Sequence, residues 1–205
     1  FPIRPKNLVI EVFDFKNPEF KDFEVILIEG NLIRYNIYLD NAAAQFVKLA
    51  TDFSKICGAE NGSPHGRVFK NDDSPFQITY FDTIRQDGKE ISTPARISHR
   101  TGIIEVSKKH FDKYTIPMRM IILLHEFSHK FRNPGIGLKI EDEIGADINA
   151  LYIYLGLGFS KVDAITVFAK VFLKAQTQGN IERMRKIMNY IQKFENEDFT
   201  NKISY

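Results

Sequence analysis

The sequence predicts an α+β fold in a single domain of 205 residues, with strands and one helix first and helices afterwards. Residues 1–110 contain short apolar or alternating runs separated by turn residues, a pattern typical of strands. Residues 111–195 instead repeat apolar side chains at helical spacing, and a polar tail, 196–205, follows them. A chain of this length that is 43% hydrophobic can bury one sizeable core. We therefore expect a mixed sheet followed by a helical second half.

The first strands are expected to form a β-hairpin. Residues 8–13 and 24–28 are rich in Val and Ile, and residues 32–39 alternate apolar with polar side chains. The pair Gly30-Asn31 between the last two runs is a tight-turn signal. Residues 24–28 and 32–39 should therefore pair as antiparallel strands.

A helix should follow this hairpin, and further strands should follow the helix. Asp40 or Asn41 is a suitable N-cap, and Cys57-Gly58 should end the helix. Cys57 is the only cysteine of the chain, so an intramolecular disulfide is excluded and a small buried apolar side chain is expected. Later strands are expected around a polar turn at 86–89, namely at 76–81, 96–99 and 102–106.

The second half is predicted to begin with a helix whose N-cap is Thr115. Pro117 is tolerated in a first helical turn, and the run Asn133-Pro134-Gly135 should stop this helix. Helical spacing of the apolar residues predicts three more helices, at about 141–155, 160–174 and 180–195.

The helix predicted to begin after Thr115 carries a complete H-E-x-x-H motif, formed by His125, Glu126 and His129. Four residues turn a side chain by about 400° around a helix axis, so the two histidines lie on one face and can bind one metal ion. Glu126 lies beside them, where its carboxylate can accept a proton from a water molecule. A bare H-E-x-x-H also arises by chance on exposed helices, but the apolar residues around this one predict a buried helix. The motif therefore predicts a zinc site with Glu126 as its general base.

A catalytic zinc ion takes three protein ligands and keeps one position open, so one further ligand is needed. The acidic cluster Glu141-Asp142-Glu143 opens the next predicted helix. Glu143 is the preferred ligand because Asp147 follows one turn later on the same face and can hydrogen-bond the far nitrogen of a ligand histidine. Glu141 and Asp142 lack that pairing. Asp147 is the alternative third ligand, since the sequence does not fix the depth at which the two helices meet.

These residues resemble the motifs of gluzincin metallopeptidases. The motif at 125–129, followed by Glu143-x-x-Ala146-Asp147, is similar to that of short zinc peptidases of the ImmA/IrrE type. It is also similar to the soluble core of membrane zinc peptidases that process prenylated proteins or damaged membrane proteins. The likeness covers roughly residues 100–172.

The resemblance implies a zincin-like core, a bound Zn²⁺ ion and an endopeptidase that acts on a protein or peptide substrate. It implies that His125, His129 and Glu143 hold the metal while Glu126 activates water. In zincins the strand before the motif helix is an edge strand that pairs with an extended substrate. Residues 95–107 should therefore border the substrate cleft.

Two features distinguish the chain from related peptidases. Arg132 and Gly135 stand where metzincins have a glycine and a third histidine, so that family is excluded. No apolar run approaches the roughly 20 residues of a transmembrane helix. We therefore expect a soluble protein, with the cytoplasm as the first expectation for its location. The chain begins with Phe1, which is consistent with a processed N terminus.

The charge balance excludes a strongly electrostatic partner. The 28 basic and 26 acidic side chains give a formal charge of +2, so nucleic acid is not expected as a partner. The small basic groups at 108–110 and 183–186 are expected to be solvated faces of helices. His65, His99 and His110 lack metal-ligand spacing and are expected at the surface or in hydrogen bonds.

The sequence leaves open the oxyanion donor and the alternative of a protein without turnover. Tyr154 lies near the Glu143 face, but eleven residues of helix place it about 16 Å away. The alternative function is a zincin-like structural or interaction domain of a larger assembly, such as a phage particle, in which zinc stabilises the fold. An open position beside Glu126 would favour the enzyme, whereas a side chain that fills this position would favour the interaction domain.

Overall fold

The structure is a computed structural model that describes residues 33–35, 37–57, 63–72, 74–132, 140–196 and 200–202. It combines small sheets with several helices, so the α+β class is confirmed. The strands expected at 8–13 and 24–28 lie outside the described residues, as does the stop signal at 133–135.

The helices alternate with strands at first and then follow one another. The helices are α1 (Asn41–Ile56), α2 (Lys108–Phe111), α3 (Ile116–Phe131), α4 (Ile140–Gly156), α5 (Lys161–Val167), which continues into a π-helical segment (Phe168–Phe172), and α6 (Gln178–Asn196). The strands are β1 (Ile33–Tyr35), β2 (Arg67–Lys70), β3 (Gln77–Phe81), β4 (Arg85–Gln86), β5 (Lys89–Glu90), β6 (Ala95–Ile97), β7 (Ile104–Ser107) and β8 (Thr200–Lys202). None of the helices in these ranges is both long and apolar enough to cross a bilayer.

A four-stranded sheet in the order β2-β3-β7-β6 lies beside the helices. β3 and β7 run parallel, whereas β2 and β6 are antiparallel to their neighbours. This order corrects one expectation, because β7, the strand just before the motif helix, is internal to the sheet. β6 forms the edge instead, since the chain places 95–97 outside 104–107.

Helix α1 begins and packs as its sequence predicts. The carboxylate of Asp40 accepts a hydrogen bond from the backbone N–H of Ala43 at 2.8 Å, which identifies Asp40 as the N-cap. Phe46 on the buried face stacks on Phe127 of α3, with ring centroids 4.3 Å apart. Cys57 is fully buried after the last turn, as expected of a small apolar side chain.

Helix α3 lies at the centre of the described core. All its residues from Arg119 to His129 are buried, and it contacts α1, α4, α5 and the β6-β7 end of the sheet. Thr115 occupies the N-cap position with extended backbone angles but makes no side-chain cap hydrogen bond. Pro117 lies in the first turn, where its missing N–H costs nothing.

Several element predictions need correction. Among the described residues of the strand expected at 32–39, only β1 is a strand, and it pairs with β8, so a strand forms inside the predicted polar tail. β2 was not expected, because its residues lack an alternating pattern. The polar turn at 86–89 does reverse the chain, with Asp87 and Gly88 both at positive φ, and it joins β4 to β5 as a short hairpin. The helix expected at 160–174 changes from α to π geometry at Phe168.

Candidate metal centre

Helices α3 and α4 bring three predicted ligands together. The Nε2 atoms of His125 and His129 lie 3.0 Å apart, as one helical turn allows. Oε2 of Glu143 on α4 lies 3.8 Å from Nε2 of His125, and Oε1 lies 3.6 Å from Nε2 of His129. In the part of the chain that the structure describes, these residues form the one group of three or more metal-binding side chains with their ligand atoms within 4.8 Å of one another.

The spacing of these atoms fits a tetrahedral metal ion. Zinc–nitrogen bonds of about 2.0–2.1 Å and tetrahedral angles place neighbouring ligand atoms roughly 3.3–3.4 Å apart. The two histidine nitrogens lie 3.0 Å apart and Oε1 of Glu143 lies 3.6 Å from Nε2 of His129, so these separations fall on either side of that value. Two imidazoles and one carboxylate are donors that suit zinc among the divalent ions. The residues present therefore could hold such an ion with little movement.

Asp147 lies behind the cluster rather than in it. Its Oδ1 is 2.9 Å from Nδ1 of His125, the ring nitrogen that faces away from His129, although the ring N–H is not aimed straight at that oxygen. This is the position predicted for a hydrogen-bonding partner of a ligand histidine. The alternative in which Asp147 is the third ligand does not fit this geometry, because Asp147 contacts Nδ1 of His125, whereas Glu143 faces the Nε2 atoms of both histidines.

The electrostatic surroundings separate the two histidines. Burial lowers the pKa of His129 to about 3, and the charges of His125 and His99 act in the same direction, so its ring is neutral. Burial also lowers the pKa of His125, but the hydrogen bond and charge of Asp147 outweigh it and the net shift is upward. Burial raises the pKa of Asp147, but His125 and Arg183 hold it below its usual range. The aspartate is therefore ionised and directs a proton to Nδ1.

Glu126 lies beside the ligands without joining them. Its side chain is buried and lies near the backbone of Ile97 on edge strand β6. Burial raises the pKa of Glu126 to about 7; the charge of His125 opposes this shift and that of Glu143 reinforces it. A carboxylate with such a pKa can both accept and release a proton near neutral pH.

A cleft of about 510 Å³ opens over this cluster. His125, Glu126, His129 and Glu143 form its floor. Its walls come from 91–97, His99, Val171, Phe172 and Lys174. Residues 95–97 border the cleft as expected, whereas β7 does not line it.

Two wall residues were not predicted. The ring of Phe172 lies 4.1 Å from that of His125, and the π-helical segment places it there. His99 was expected simply at the surface; it is exposed, but its ring lies 6.0 Å from that of His129 inside the cleft. Lys130 donates from its ammonium group to the carbonyl oxygens of His99 and Arg100, which ties this turn to α3. No sequence spacing signals either contact.

Two other expectations about side chains are resolved by packing. Tyr154 is fully buried and donates its hydroxyl hydrogen to the carbonyl oxygen of Ser160, so it does not reach the cleft. Arg183, expected on a solvated face, is buried against Asp147. A signal was available, because helical spacing puts Arg183 on the same face of α6 as the buried Ile187 and Ile191.

Comparisons with known proteins add no assignment to this geometry. No protein-family model matches the chain, and no curated protein or solved structure shows significant similarity to it.

Proposed function

We propose that the protein is a zinc-dependent endopeptidase with a zincin-like core. The observation that carries the proposal is the cleft whose floor joins three metal-binding side chains to a buried glutamate. A metal that only stabilises a fold is usually enclosed by four protein ligands. Here three ligands from two helices face an open cleft, and this arrangement favours catalysis over a structural role.

The roles of the residues follow from their positions. His125, His129 and Glu143 would hold the ion, and Asp147 would orient the first of these ligands. Zinc, when bound in such a site, polarises a carbonyl group and lowers the pKa of a water molecule to about 7. The side chains of the protein carry out the other steps of the reaction.

Glu126 supplies the proton transfers of peptide hydrolysis. One of its carboxylate oxygens accepts a proton from the attacking water as the new carbon–oxygen bond forms. The same carboxyl group then releases that proton to the amine nitrogen as the carbon–nitrogen bond breaks. Burial and the resulting pKa of about 7 suit both transfers.

The substrate class follows from the edge strand beside the base. Among the strands that the structure describes, β6 has a neighbour on one side only, and residues 95–97 run along the wall of the cleft. An extended peptide can pair with such an edge through its main chain. Phe172 and Val171, which also line the cleft, offer apolar contact to its side chains. An unfolded or extended protein segment is therefore the proposed substrate.

Replacing Glu126 by Gln tests the proposal. The amide keeps the shape of the carboxylate but cannot accept a proton, so zinc content should be unchanged while cleavage falls by about 10²–10⁴-fold. Cleavage is measured by digestion of a diverse peptide library, and zinc by metal analysis of the purified protein. Glu141→Gln, at an exposed position of α4, is the matched control and should cleave like the parent.

Two results would contradict the proposal. Cleavage that survives Glu126→Gln would assign the activity to another base or another protein. A parent that binds zinc but cleaves nothing in the library would favour the zincin-like interaction domain of a larger assembly.

A further inference from the structure

A buried arginine from helix α6 reaches the back of the metal centre. The side chain of Arg183 is only 7% exposed. Its Nε donates to Oδ2 of Asp147 at 2.8 Å, and one terminal nitrogen donates to Oδ1 at 3.0 Å. The same terminal nitrogen lies 3.0 Å from Oε2 of Glu143. One guanidinium therefore contacts both carboxylates that α4 contributes to the site.

The cost of burying a charge makes these contacts informative. A guanidinium loses its hydration when it is buried, so it must be paired and hydrogen-bonded. Arg183 meets that need with the planar, two-pronged geometry that carboxylates match. Arg185 provides a contrast two residues later, since its side chain is 58% exposed and pairs with Glu182 of the same helix. The packing of α6 on α4 therefore places Arg183, but not Arg185, against the carboxylates of the site.

Arg183 acts on His125 indirectly, through Asp147. The guanidinium binds both oxygens of Asp147 and so fixes the plane of its carboxylate. Oδ1 of that fixed carboxylate is the atom that lies 2.9 Å from Nδ1 of His125. A proton held at Nδ1 leaves Nε2 of His125 as the nitrogen with a free lone pair.

Arg183 also acts on Glu143, which it contacts directly. Its carboxylate is partly exposed, so it would otherwise be free to rotate. Arg183 engages Oε2, while Oε1 points toward Nε2 of His129 at 3.6 Å. A carboxylate held at one oxygen presents the other to an ion in a fixed direction.

We propose that Arg183 is a positioning residue of the metal centre, which orients Glu143 and Asp147 so that the ligand atoms are arranged for a divalent ion before it binds. The inference rests on the proposed function only in requiring that the site binds such an ion. It is independent of whether the protein cleaves peptides.

The test compares Arg183→Lys and Arg183→Gln with the matched variants Arg185→Lys and Arg185→Gln. Lysine keeps the charge but cannot bridge two carboxylates. Zinc affinity is measured by competition with a chromophoric chelator, and cobalt(II) is added in place of zinc because its visible spectrum depends on ligand geometry. Melting of the metal-free proteins reports folding separately.

Both Arg183 variants should bind zinc about 10–100-fold more weakly than the parent, as is typical when an outer partner of a metal ligand is lost. Their cobalt(II) spectra should also differ from that of the parent. Both Arg185 variants should match the parent in affinity and spectrum. Arg183→Lys, which retains the charge, keeps the test usable if Arg183→Gln does not fold.

Three results would overturn the inference. A folded Arg183→Lys variant with parental zinc affinity and an unchanged cobalt(II) spectrum would show that no positioning is needed. A variant that only melts at a lower temperature, with both metal readouts unchanged, would reduce Arg183 to a packing role. A parent that binds neither ion would overturn the proposed function and this inference together.

Discussion

The metal centre has two halves that are built differently. One half is local, because His125, Glu126 and His129 lie within five residues of one helix. The other half is assembled from Glu143 and Asp147 on α4 and Arg183 on α6. Helical geometry alone fixes the first half, whereas the second requires that α4 and α6 pack in one register.

The two halves also differ in their surroundings. The local half is buried, since α3 contacts three helices and two strands. In the other half Glu143 remains partly exposed and is paired with Arg183. The motif would therefore supply two proposed ligands in a rigid frame, while the orientation of the third would depend on ion pairs between helices. Changes in the local half should therefore have the larger effects on metal binding.

The largest loss is expected from His129→Ala. The parent should bind about one zinc ion per chain. Removal of this buried ligand leaves only two protein ligands. Zinc affinity should therefore fall by much more than the factor of about 100 that is typical when a hydrogen-bonding partner of a ligand is lost. Metal analysis after dialysis against a chelator measures the loss. His65→Ala, at an exposed position far from the motif in sequence, is the control. Retention of zinc by His129→Ala would show that the ligand assignment is wrong.

Glu143→Ala should have the next largest effect. Its zinc affinity should fall strongly, but less than for His129→Ala, because water can replace a ligand at the open side of the site. Glu141→Ala on the exposed face of α4 should bind zinc like the parent. Chelator competition with both variants compares them directly. Equal losses at the two positions would contradict the register of α4 described above.

The smallest of the three effects on zinc binding is expected from Asp147→Asn. An amide keeps the shape but loses the charge that holds His125 and Arg183, so affinity should fall by about 10–100-fold. The metal-free protein should also lose stability, because a broken buried ion pair costs about 3–5 kcal/mol. Chelator competition measures the affinity, and denaturant unfolding of the metal-free protein measures the stability. Unchanged values in both experiments would remove Asp147 from the support of the site.

The same difference between local contacts and contacts between distant elements explains which structural predictions were correct. The cap at Asp40 and the reversal at Asp87-Gly88 depend on a few neighbouring residues, and both are found where expected. The pairing of β1 with β8 joins residues far apart in the chain and was not expected, whereas the hairpin expected between 24–28 and 32–39 involves residues outside the described part of the chain. Local rules therefore located turns and helix ends but did not reveal this long-range strand pair.

Arg183 and Arg185 show most directly why the burial of a charged residue was not predicted from the sequence. Both are arginines in one polar stretch of the same helix, and both were expected in solvent. Only the helical phase relative to Ile187 distinguishes the buried residue from the exposed one. Composition outweighed that weak periodic signal, because a charged side chain on a helix is usually solvated.

The sequence by itself determined the α+β class, the motif helix and the relative placement of His125, Glu126 and His129, because four residues of helix leave one geometry for that spacing. It also indicated Glu143 and Asp147 through their own one-turn spacing. Only the tertiary structure decided that β6 forms the edge of the described sheet, that Phe172 and His99 line the cleft, and that Arg183 contacts Glu143 and Asp147. These contacts join elements that are distant in sequence, and their formation depends on how whole helices and strands pack.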